Sequence, residues 1–409
     1  MIKVGINIGN SKISCAVSEI EKNKKIKLLS FQSFQTNIIK RNIITNFEEI
    51  SNDIKALISE SEKNSQTKIN SINLNIPMID SVSKYYDSEI ENLDQKIRDL
   101  DIKKVINKSE YFNVDTDYYQ IFNKINGYVL DGNLIYNTPV GNYANKLKVL
   151  FYKILIPYKN IQSYKNIIES QNISIESYVP SPLSSGLATL SNDEKKIGTI
   201  CIDLGHSNTS ISIFENDKFI YGDSFLVGSN NITNDLARGV STTLESAERL
   251  KTLYSSLISS PSDEFEIIEI PIISGESGKF NQINKLKINS IVKPRIEETL
   301  EIVWQKIKQN NLHKKQIKNV VLTGGGAQLE GISQYAELIF SSNVRIGFPK
   351  NDILSEKRIQ NPGYADAIGC SFFDYQDFSD EIIKKQRKKT KKAKAPWKYR
   401  LLSTAHVVS

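Results

Sequence analysis

Two short segments with the same pattern constrain this chain more than any other feature. One spans residues 4–13 and the other spans residues 200–211. Each has a β-rich run, an Asn or Asp, a spacer, a glycine, a polar turn and a second β run. Such a pattern predicts a β-hairpin with a polar tip. A glycine at the tip lets backbone N–H groups converge on an anion, because it carries no Cβ. Two hairpins so far apart in the chain predict two lobes that face each other across a cleft and clamp a nucleotide.

A third segment indicates which kind of clamp this is. The apolar run 320–323 ends in Gly324, Gly325 and Gly326, and apolar residues at helical spacing follow. This order is typical of a buried strand, a glycine turn and a helix. Glycines at this place would let the backbone lie flat against a planar ring or a ribose. A dinucleotide-binding turn is the alternative, but the chain lacks a second glycine-rich βαβ half with an acidic residue about 20 positions further on.

With these three motifs in this order, the chain resembles the actin-like ATPase superfamily and, within it, the bacterial cell-division protein FtsA. The most similar stretches are residues 194–256 and 319–349, and the resemblance extends over residues 1–375. It implies an α/β, actin-like two-lobed fold with duplicated mixed-sheet domains. It also implies an inserted small α+β subdomain and a flexible basic C-terminal tail.

The resemblance further implies how the chain is divided. The expected segments are the first lobe with its phosphate hairpin (1–80), the inserted FtsA-type subdomain (81–160), the first lobe continued (161–193), the second lobe with its phosphate hairpin (194–227), its small subdomain (228–310), the second lobe continued with the adenosine motif (311–375), a basic linker (376–395) and an amphipathic membrane-targeting helix (396–409).

Apolar patterning predicts individual elements as well. Within the insertion it predicts a helix over Glu89–Lys108 and two separate strands, at Tyr118–Asn126 and Gly127–Leu130. In the second lobe it predicts a long helix at Lys287–Asn310. Pro294 is expected to kink or restart that helix, since proline has no N–H to donate.

Charge is unevenly distributed along the chain. The net charge is +7, but residues 384–409 contain ten Lys or Arg and no Asp or Glu, so the other 383 residues sum to −3. This asymmetry argues against a broad nucleic-acid-binding face on the body, and no specific nucleic acid is expected as a partner. Cysteines and histidines are scattered singly, which excludes a disulfide framework and a transition-metal site and fits a reduced, cytoplasmic compartment. Neither a signal peptide nor a membrane span is predicted.

Asp203 is the strongest candidate site residue. A carboxylate at the end of a buried strand, beside a phosphate turn, suits Mg²⁺, which takes one or two protein carboxylates and keeps several waters. The alternative is an ordinary hairpin-turn aspartate. The resemblance implies that ATP is bound by Asn7, Gly9, Ser11, Lys12, Asp203, Gly205, Ser207, Asn208, Thr209, Glu248, Lys251, Gly324, Gly325 and Gly326.

Glu248 and Lys251 correspond to the ribose and base contacts of the superfamily. Residues at i and i+3 share one helix face, and a carboxylate can accept from both ribose hydroxyls. The alternative for this pair is an exposed ion pair.

Three departures from the family pattern weaken the case for hydrolysis. FtsA relatives usually carry Asp where this chain has Asn7, and a glycine-rich turn where it has residues 206–208. Ser181 stands where a Gln or Glu usually positions the attacking water, and a hydroxyl is too short and too weak a base for that role. ATP binding is therefore better supported than ATP hydrolysis, and no catalytic residue is assigned.

The C-terminal end combines a polybasic linker with an amphipathic pattern. Pro396 marks a helix start, and apolar residues recur at helical spacing after it. The resemblance implies a helix that lies on the inner membrane face through Trp397, Lys398, Arg400, Leu401 and Leu402. The alternative is a disordered basic tail that attracts RNA.

The resemblance thus implies an ATP-binding actin homologue that anchors FtsZ to the cytoplasmic face of the membrane at the division site. Its expected partners are FtsZ, later divisome proteins, the anionic inner-membrane surface and further copies of itself in filaments. Two alternatives stay open. One is a pilus-assembly actin homologue, which lacks the Lys-rich tail, and the other is a sugar or acid kinase, which would need a carboxylate base that no motif supplies.

Overall fold

A computed structural model describes residues 1–22, 25–40, 43–91, 93, 96–110, 117–258, 260–271, 280–315, 317, 319–350 and 359–374. These residues divide into two compact units. The first unit holds the described residues within 1–86, 114–123 and 152–373, and the second holds those within 87–113 and 124–151 together with Asp374. The domain boundaries expected from the sequence remain predictions.

The strands are β1 (Ile2–Ile8), β2 (Lys12–Ile20), β3 (Ile26–Gln35), β4 (Ile39–Lys40), β5 (Ile43–Ile44), β6 (Ser71–Ile76), β7 (Val82–Ile90), β8 (Tyr118–Leu130), β9 (Asn133–Ile135), β10 (Leu147–Pro157), β11 (Ser174–Pro180), β12 (Thr199–Leu204), β13 (Thr209–Glu215), β14 (Lys218–Phe225), β15 (Ile267–Pro271), β16 (Phe280–Asn284), β17 (Asn319–Thr323) and β18 (Asn343–Ile346). The α-helices are α1 (Phe47–Ser65), α2 (Asp99–Glu110), α3 (Tyr158–Glu169), α4 (Ser181–Thr189), α5 (Asn192–Ile197), α6 (Ser229–Gly239), α7 (Leu244–Tyr254), α8 (Lys285–Gln309), α9 (Ile332–Phe340) and α10 (Ala365–Ser371).

Two five-stranded sheets share one topology. The first has the order β11-β6-β1-β2-β3, and the second has the order β14-β13-β12-β17-β18. Each is built around an antiparallel hairpin, β1–β2 or β12–β13, with a parallel strand, β6 or β17, beside its first strand. Read in the opposite direction, the second sheet repeats the first strand by strand. The duplicated mixed sheets predicted from the two hairpin motifs are confirmed.

Two helices connect the sheets, because each packs on the sheet that it does not follow in the chain. Helix α4 follows β11 of the first sheet but packs against β12 and β13, whereas α10 follows the second sheet and packs against β1 and β2. The two helices also contact each other closely. A Cβ at Gly369 would lie 1.8 Å from the carbonyl oxygen of Ser184, so only glycine fits there. Gly5 of β1 plays the same part against α10, since a Cβ there would lie 2.3 Å from the backbone N of Ser371.

Three expected elements differ in the structure. The predicted helix over Glu89–Lys108 is wrong in its first half, because β7 extends to Ile90 and α2 begins only at Asp99. Pairing with β10 in the four-stranded sheet β7-β10-β8-β9 outweighs the polar local pattern. The two separate strands expected at 118–130 form the single strand β8.

Helix α8 runs through Pro294 without a restart, so of the two expected effects of this proline a restart does not occur. Proline removes the hydrogen bond to the carbonyl four residues earlier, which belongs to Ser290. Ser290 is exposed, so water can take the place of the missing donor.

None of the described helices combines the length and the apolar composition that a membrane crossing requires. The basic linker at 376–395 and the membrane-targeting helix expected at 396–409 lie outside the described residues, and so do Trp397, Lys398, Arg400, Leu401 and Leu402. Both segments stay predictions.

Candidate functional site

A cleft of 1320 Å³ opens in the first unit, where the motifs predicted from the sequence meet. Both hairpin turns line it, together with the triple glycine and residues of α6 and α7. Of the ATP-binding residues predicted from the sequence, thirteen line this cleft and Thr209 does not. Motifs far apart in the chain are therefore brought to one site.

The two hairpin turns are closed in the same way. The Gly9 N–H donates to the Lys12 carbonyl at 3.0 Å, and the Gly205 N–H donates to the Asn208 carbonyl at 3.0 Å. A Cβ at Gly9 would lie 2.9 Å from the Lys12 oxygen, and one at Gly205 would lie 2.7 Å from the Asn208 oxygen. Both turns therefore need glycine to close tightly, and both present their remaining residues to the cleft.

The second turn is held against the start of α6. The Ser229 N–H donates to the Gly205 carbonyl at 2.9 Å, and the Asn230 N–H donates to the His206 carbonyl at 2.8 Å. The first N–H groups of this helix thus fix the turn instead of facing the cleft. Thr209 is buried behind the turn, where its hydroxyl donates to the Val227 carbonyl at 2.8 Å.

Two carboxyl groups meet at the floor of the cleft. Asp203 at the end of β12 is 7% exposed, and its carboxyl lies beside that of Asp366 at the start of α10. The Ser181 hydroxyl donates to Asp366 Oδ2 at 2.9 Å. Burial raises the pKa of Asp203 to about 6. Burial, followed by the charge of Asp203, raises the pKa of Asp366 well above its usual value. The pair therefore resists full ionisation unless a cation is close.

Lys12 is the cation of the first turn that faces these carboxyl groups. Burial lowers the pKa of Lys12, while the charges of Asp203 and Asp366 act in the opposite direction. Its Nζ lies 4.5 Å from the centre of the Tyr364 ring, at cation–π distance. A Cβ at Gly363 would lie 2.7 Å from the same Nζ. The ammonium is therefore held at the floor, within reach of an anion that enters between the turns.

The triple glycine forms one wall of the cleft. Gly324 has φ +85°, and a Cβ there would lie 2.2 Å from Asp203 Oδ1. A Cβ at Gly326 would lie 3.0 Å from Leu204, whereas one at Gly325 would meet no atom within 4 Å. Gly324 and Gly326 thus pack against β12, and Gly325 presents bare backbone to the open cleft.

Glu248 and Lys251 share one face of α7, as their spacing predicts. Glu248 Oε2 accepts from Lys251 Nζ at 2.6 Å and from the Thr233 hydroxyl at 2.6 Å. The Lys251 side chain is 10% exposed and that of Glu248 is 45% exposed. Burial acts to raise the pKa of Glu248, but the hydrogen bonds from Lys251 and Thr233, together with the charge of Lys251, outweigh it and lower the pKa. Glu248 is therefore an ionised acceptor that is half open to the cleft.

No sequence motif points to three polar residues of the site. Asp366 and Thr233 lie in segments without a recognisable motif, and their roles come from packing alone. Asn75 at the end of β6 is 1% exposed and lines the cleft, yet neither its Oδ1 nor its Nδ2 has a hydrogen-bond partner among the described residues. Leaving a buried amide without hydrogen bonds costs folding free energy, so such a residue is a signal of a binding site. The sequence does not show burial or hydrogen bonding, so this signal is available only from the structure.

The expected Mg²⁺ can be tested against these residues. No cluster of three or more His, Cys, Asp or Glu that could hold a metal occurs in the described ranges. Mg²⁺ needs no such cluster, because one or two carboxylates are enough when waters or phosphates complete the shell. Asp203, with its buried carboxyl beside the phosphate turns, fits that requirement.

Comparison with known proteins agrees with this arrangement. The family model described as "Cell division protein FtsA" matches residues 200–369. The cell division protein FtsA of Agrobacterium fabrum is 28% identical over 380 residues, which cover 90% of this chain and 86% of that protein. FtsA of Neisseria meningitidis is 25% identical over 365 residues, covering 89% of this chain and 88% of that protein. The predicted resemblance to FtsA is confirmed.

Solved structures similar to this FtsA-like chain establish the fold. The PilM-PilN type IV pilus biogenesis complex matches with a TM-score of 0.62 and 14% identity, covering 90% of this chain and 97% of that one. MreB5 of Spiroplasma citri bound to ADP matches with a TM-score of 0.56 and 12% identity, covering 95% of this chain and 98% of that one. The fold is therefore actin-like, as the three sequence motifs predict.

Proposed function

We propose that this FtsA-like chain binds Mg-ATP in the cleft and uses it as a conformational and assembly ligand. The observation that carries the proposal is the pair of identically closed glycine turns, Gly9–Lys12 and Gly205–Asn208, which line one cleft together with the open backbone of Gly325. The MreB structure with bound ADP supports a nucleotide in a cleft of this fold.

Each wall of the cleft suits one part of the nucleotide. The phosphates would lie between the two turns, where Lys12 and the backbone can donate to their oxygens. The ribose hydroxyls would donate to Glu248, which is ionised and half open. The adenine ring would lie against Gly325, where no side chain intervenes. Mg²⁺ held at Asp203 would offset the phosphate charge.

Slow hydrolysis follows from the floor of the cleft. The Ser181 hydroxyl donates to Asp366 and is therefore committed to that carboxyl. Asn7 contributes an amide and no charge. Because neither Ser181 nor Asn7 can act as a base that orients the attacking water, bound ATP would persist and act as a ligand.

In the cell, we assign the chain to the cytoplasmic face of the membrane at the division site. There it would anchor FtsZ filaments, recruit later divisome proteins and associate with copies of itself. The FtsA relatives support the division role. The ten Lys and Arg of residues 384–409 support attachment to an anionic membrane surface.

The FtsZ-binding surface is proposed within residues 228–310. Arg238, Arg249 and Lys287 are exposed there and could receive an acidic peptide. Charge reversal of Arg238 and Arg249 to Glu should abolish co-sedimentation with FtsZ filaments, with Lys27→Glu as an exposed control outside this region. Unchanged co-sedimentation would show that the peptide binds elsewhere.

The similarity to the PilM-PilN structure favours a pilus-assembly adaptor as a second candidate. The two functions differ in what the protein should bind. Pelleting with FtsZ filaments on anionic liposomes supports the division role, whereas a chain that pellets with neither filaments nor liposomes supports the adaptor.

Nucleotide binding is tested by calorimetry on the purified full chain. Wild-type protein should bind Mg-ATP, and Asp203→Ala should abolish binding because it removes the carboxylate beside both turns. Glu60→Gln removes one charge from the exposed face of α1 and should bind as wild type does. Equal ATP affinity in all three proteins would exclude the cleft as the site.

A further inference from the structure

We propose that Asp203 and Asp366, with the oxygens of Ser181 and Asn75, form a divalent-cation site that is occupied before a nucleotide arrives. The inference deepens the proposed function, since the same floor would receive the phosphates of Mg-ATP. It differs from a site at Asp203 alone in two respects. Asp366 is a direct ligand, and binding needs no phosphate.

The carboxyl pair is the first part of the argument. The carboxyl groups of Asp203 and Asp366 are neighbours at the floor, and the Ser181 hydroxyl donates to Asp366 Oδ2 at 2.9 Å. Asp366 Oδ1 is buried and has no hydrogen-bond partner among the described residues. One carboxylate oxygen therefore has an unused acceptor position beside a second carboxylate and a hydroxyl.

Asn75 supplies independent support, because its buried amide has no partner at either atom and lines the same cleft. The face of the sheet on which the Asn75 side chain lies follows from its position in β6. Asn73, two residues earlier in β6, donates to the carbonyls of Cys370 at 3.0 Å and Phe373 at 2.8 Å. Alternate residues of a strand share one face, so Asn75 lies on the face that packs against α10. Asp366 lies in the first turn of α10.

The donor set selects the kind of cation. Two carboxylates, a hydroxyl and an amide oxygen are hard donors, which favour Mg²⁺ or Mn²⁺. Two carboxylates are as many as Mg²⁺ usually takes from a protein, and waters complete its shell. Because Asn7 carries no charge, the second carboxylate comes from Asp366. A cation here would also release Lys12 from the carboxyl pair, so that its ammonium could turn to a phosphate.

The test measures cation binding in the full chain without nucleotide. Mn²⁺ is titrated and its free concentration is followed by electron paramagnetic resonance, with competition by Mg²⁺. Wild-type protein should show one saturable site. Asp366→Asn keeps the shape of the side chain and should lower Mn²⁺ affinity about tenfold or more. Glu60→Gln, with the same loss of charge on exposed α1, should leave the affinity unchanged.

Ser181→Ala keeps both carboxylates and serves as a second test variant if Asp366→Asn does not fold. It should lower Mn²⁺ affinity severalfold, and an unchanged affinity would overturn the proposal. Equal affinity of wild type and Asp366→Asn would overturn it as well. If wild type binds Mg-ATP but no free Mn²⁺, the pre-formed site is refuted and the proposed function survives. If it binds Mn²⁺ but no ATP, the cation site stands and the nucleotide function fails.

Discussion

Two adjacent glycines, Gly324 and Gly325, allow a sharp test of how the cleft is built. Gly324 has φ 85° and ψ 168°, and a Cβ there would lie 2.2 Å from Asp203 Oδ1 and 2.6 Å from the Leu204 carbonyl oxygen. Gly325 has no atom within 4 Å of an added Cβ and no positive φ. Alanine at the first position should therefore disturb the fold, and alanine at the second should not.

The expected magnitude for Gly324→Ala follows from two effects. An L-residue held in a conformation that is essentially restricted to glycine costs about 1–3 kcal/mol. Displacing the Leu204 backbone and the buried Asp203 carboxyl adds about 1–3 kcal/mol, the usual cost of overpacking. The sum is about 4 kcal/mol, a large part of the roughly 5–15 kcal/mol that holds a typical protein folded. Gly325→Ala should change the free energy of unfolding by less than about 0.5 kcal/mol.

Urea unfolding followed by circular dichroism measures both values. Gly324→Ala should unfold at a much lower urea concentration than wild type, and Gly325→Ala should unfold with wild type. Calorimetry adds a second readout, because the methyl group of Gly325→Ala would stand where the adenine is proposed to lie. Its ATP affinity should fall although its stability does not. Equal urea midpoints for the two variants would refute the packing argument, and unchanged ATP affinity of Gly325→Ala would refute the adenine position.

Three further predictions concern turnover, pH and the membrane. Purified protein should hydrolyse ATP far below the median enzyme rate of about 10 per second, and a coupled assay that finds vigorous turnover would contradict the role of ATP as a ligand. Glu194 is paired with Arg345, with Oε2 at 2.7 Å from Nη2. Burial acts to raise the pKa of Glu194, but the hydrogen bond and charge of Arg345, together with the hydrogen bonds from Ser191, outweigh it and lower the pKa. A lowered carboxylate pKa stabilises the fold above the unfolded pKa, and this contribution is lost as the pH falls through the folded pKa. Glu194→Gln should thus cost about 1 kcal/mol at pH 7 and nothing in acid, as thermal unfolding at both pH values would reveal. Trp397→Ala with Leu401→Ala should release the protein from anionic liposomes at physiological salt, and pelleting equal to wild type would favour the basic tail as the anchor.

Features encoded in consecutive residues could be predicted from the sequence. The hairpin turns at Gly9 and Gly205 depend on a glycine three or four residues before a β run, and both close as the pattern indicates. The same holds for the turn at Gly324, where an apolar strand ends in glycine. The helix expected over Glu89–Lys108 failed because strand pairing with β10 decided the conformation of residues 89 and 90.

Features that depend on packing between distant segments could not be predicted. Asp366 contacts Asp203 only because α10 packs against β1 and β2, and no local pattern marks it. Thr209, by contrast, belongs to a motif but does not line the cleft. Its place in the second motif suggested a ligand contact, but the fold uses its hydroxyl to hold Val227. A motif identifies the turn, whereas the surrounding structure decides which of its side chains face the cleft.

The floor of the cleft is also the point where the two sheets are connected. Ser181 begins α4 and Asp366 lies in the first turn of α10, and the Ser181 hydroxyl joins the two helices at 2.9 Å. Each helix packs on the sheet opposite to the one it follows, and Gly369 leaves no room between it and Ser184. A ligand that changes the Ser181–Asp366 contact therefore acts on both helices at once. Because closely packed helices cannot slide without collision, such a change would reach both sheets. This connection would give the proposed ATP ligand a physical means to change the conformation without being hydrolysed.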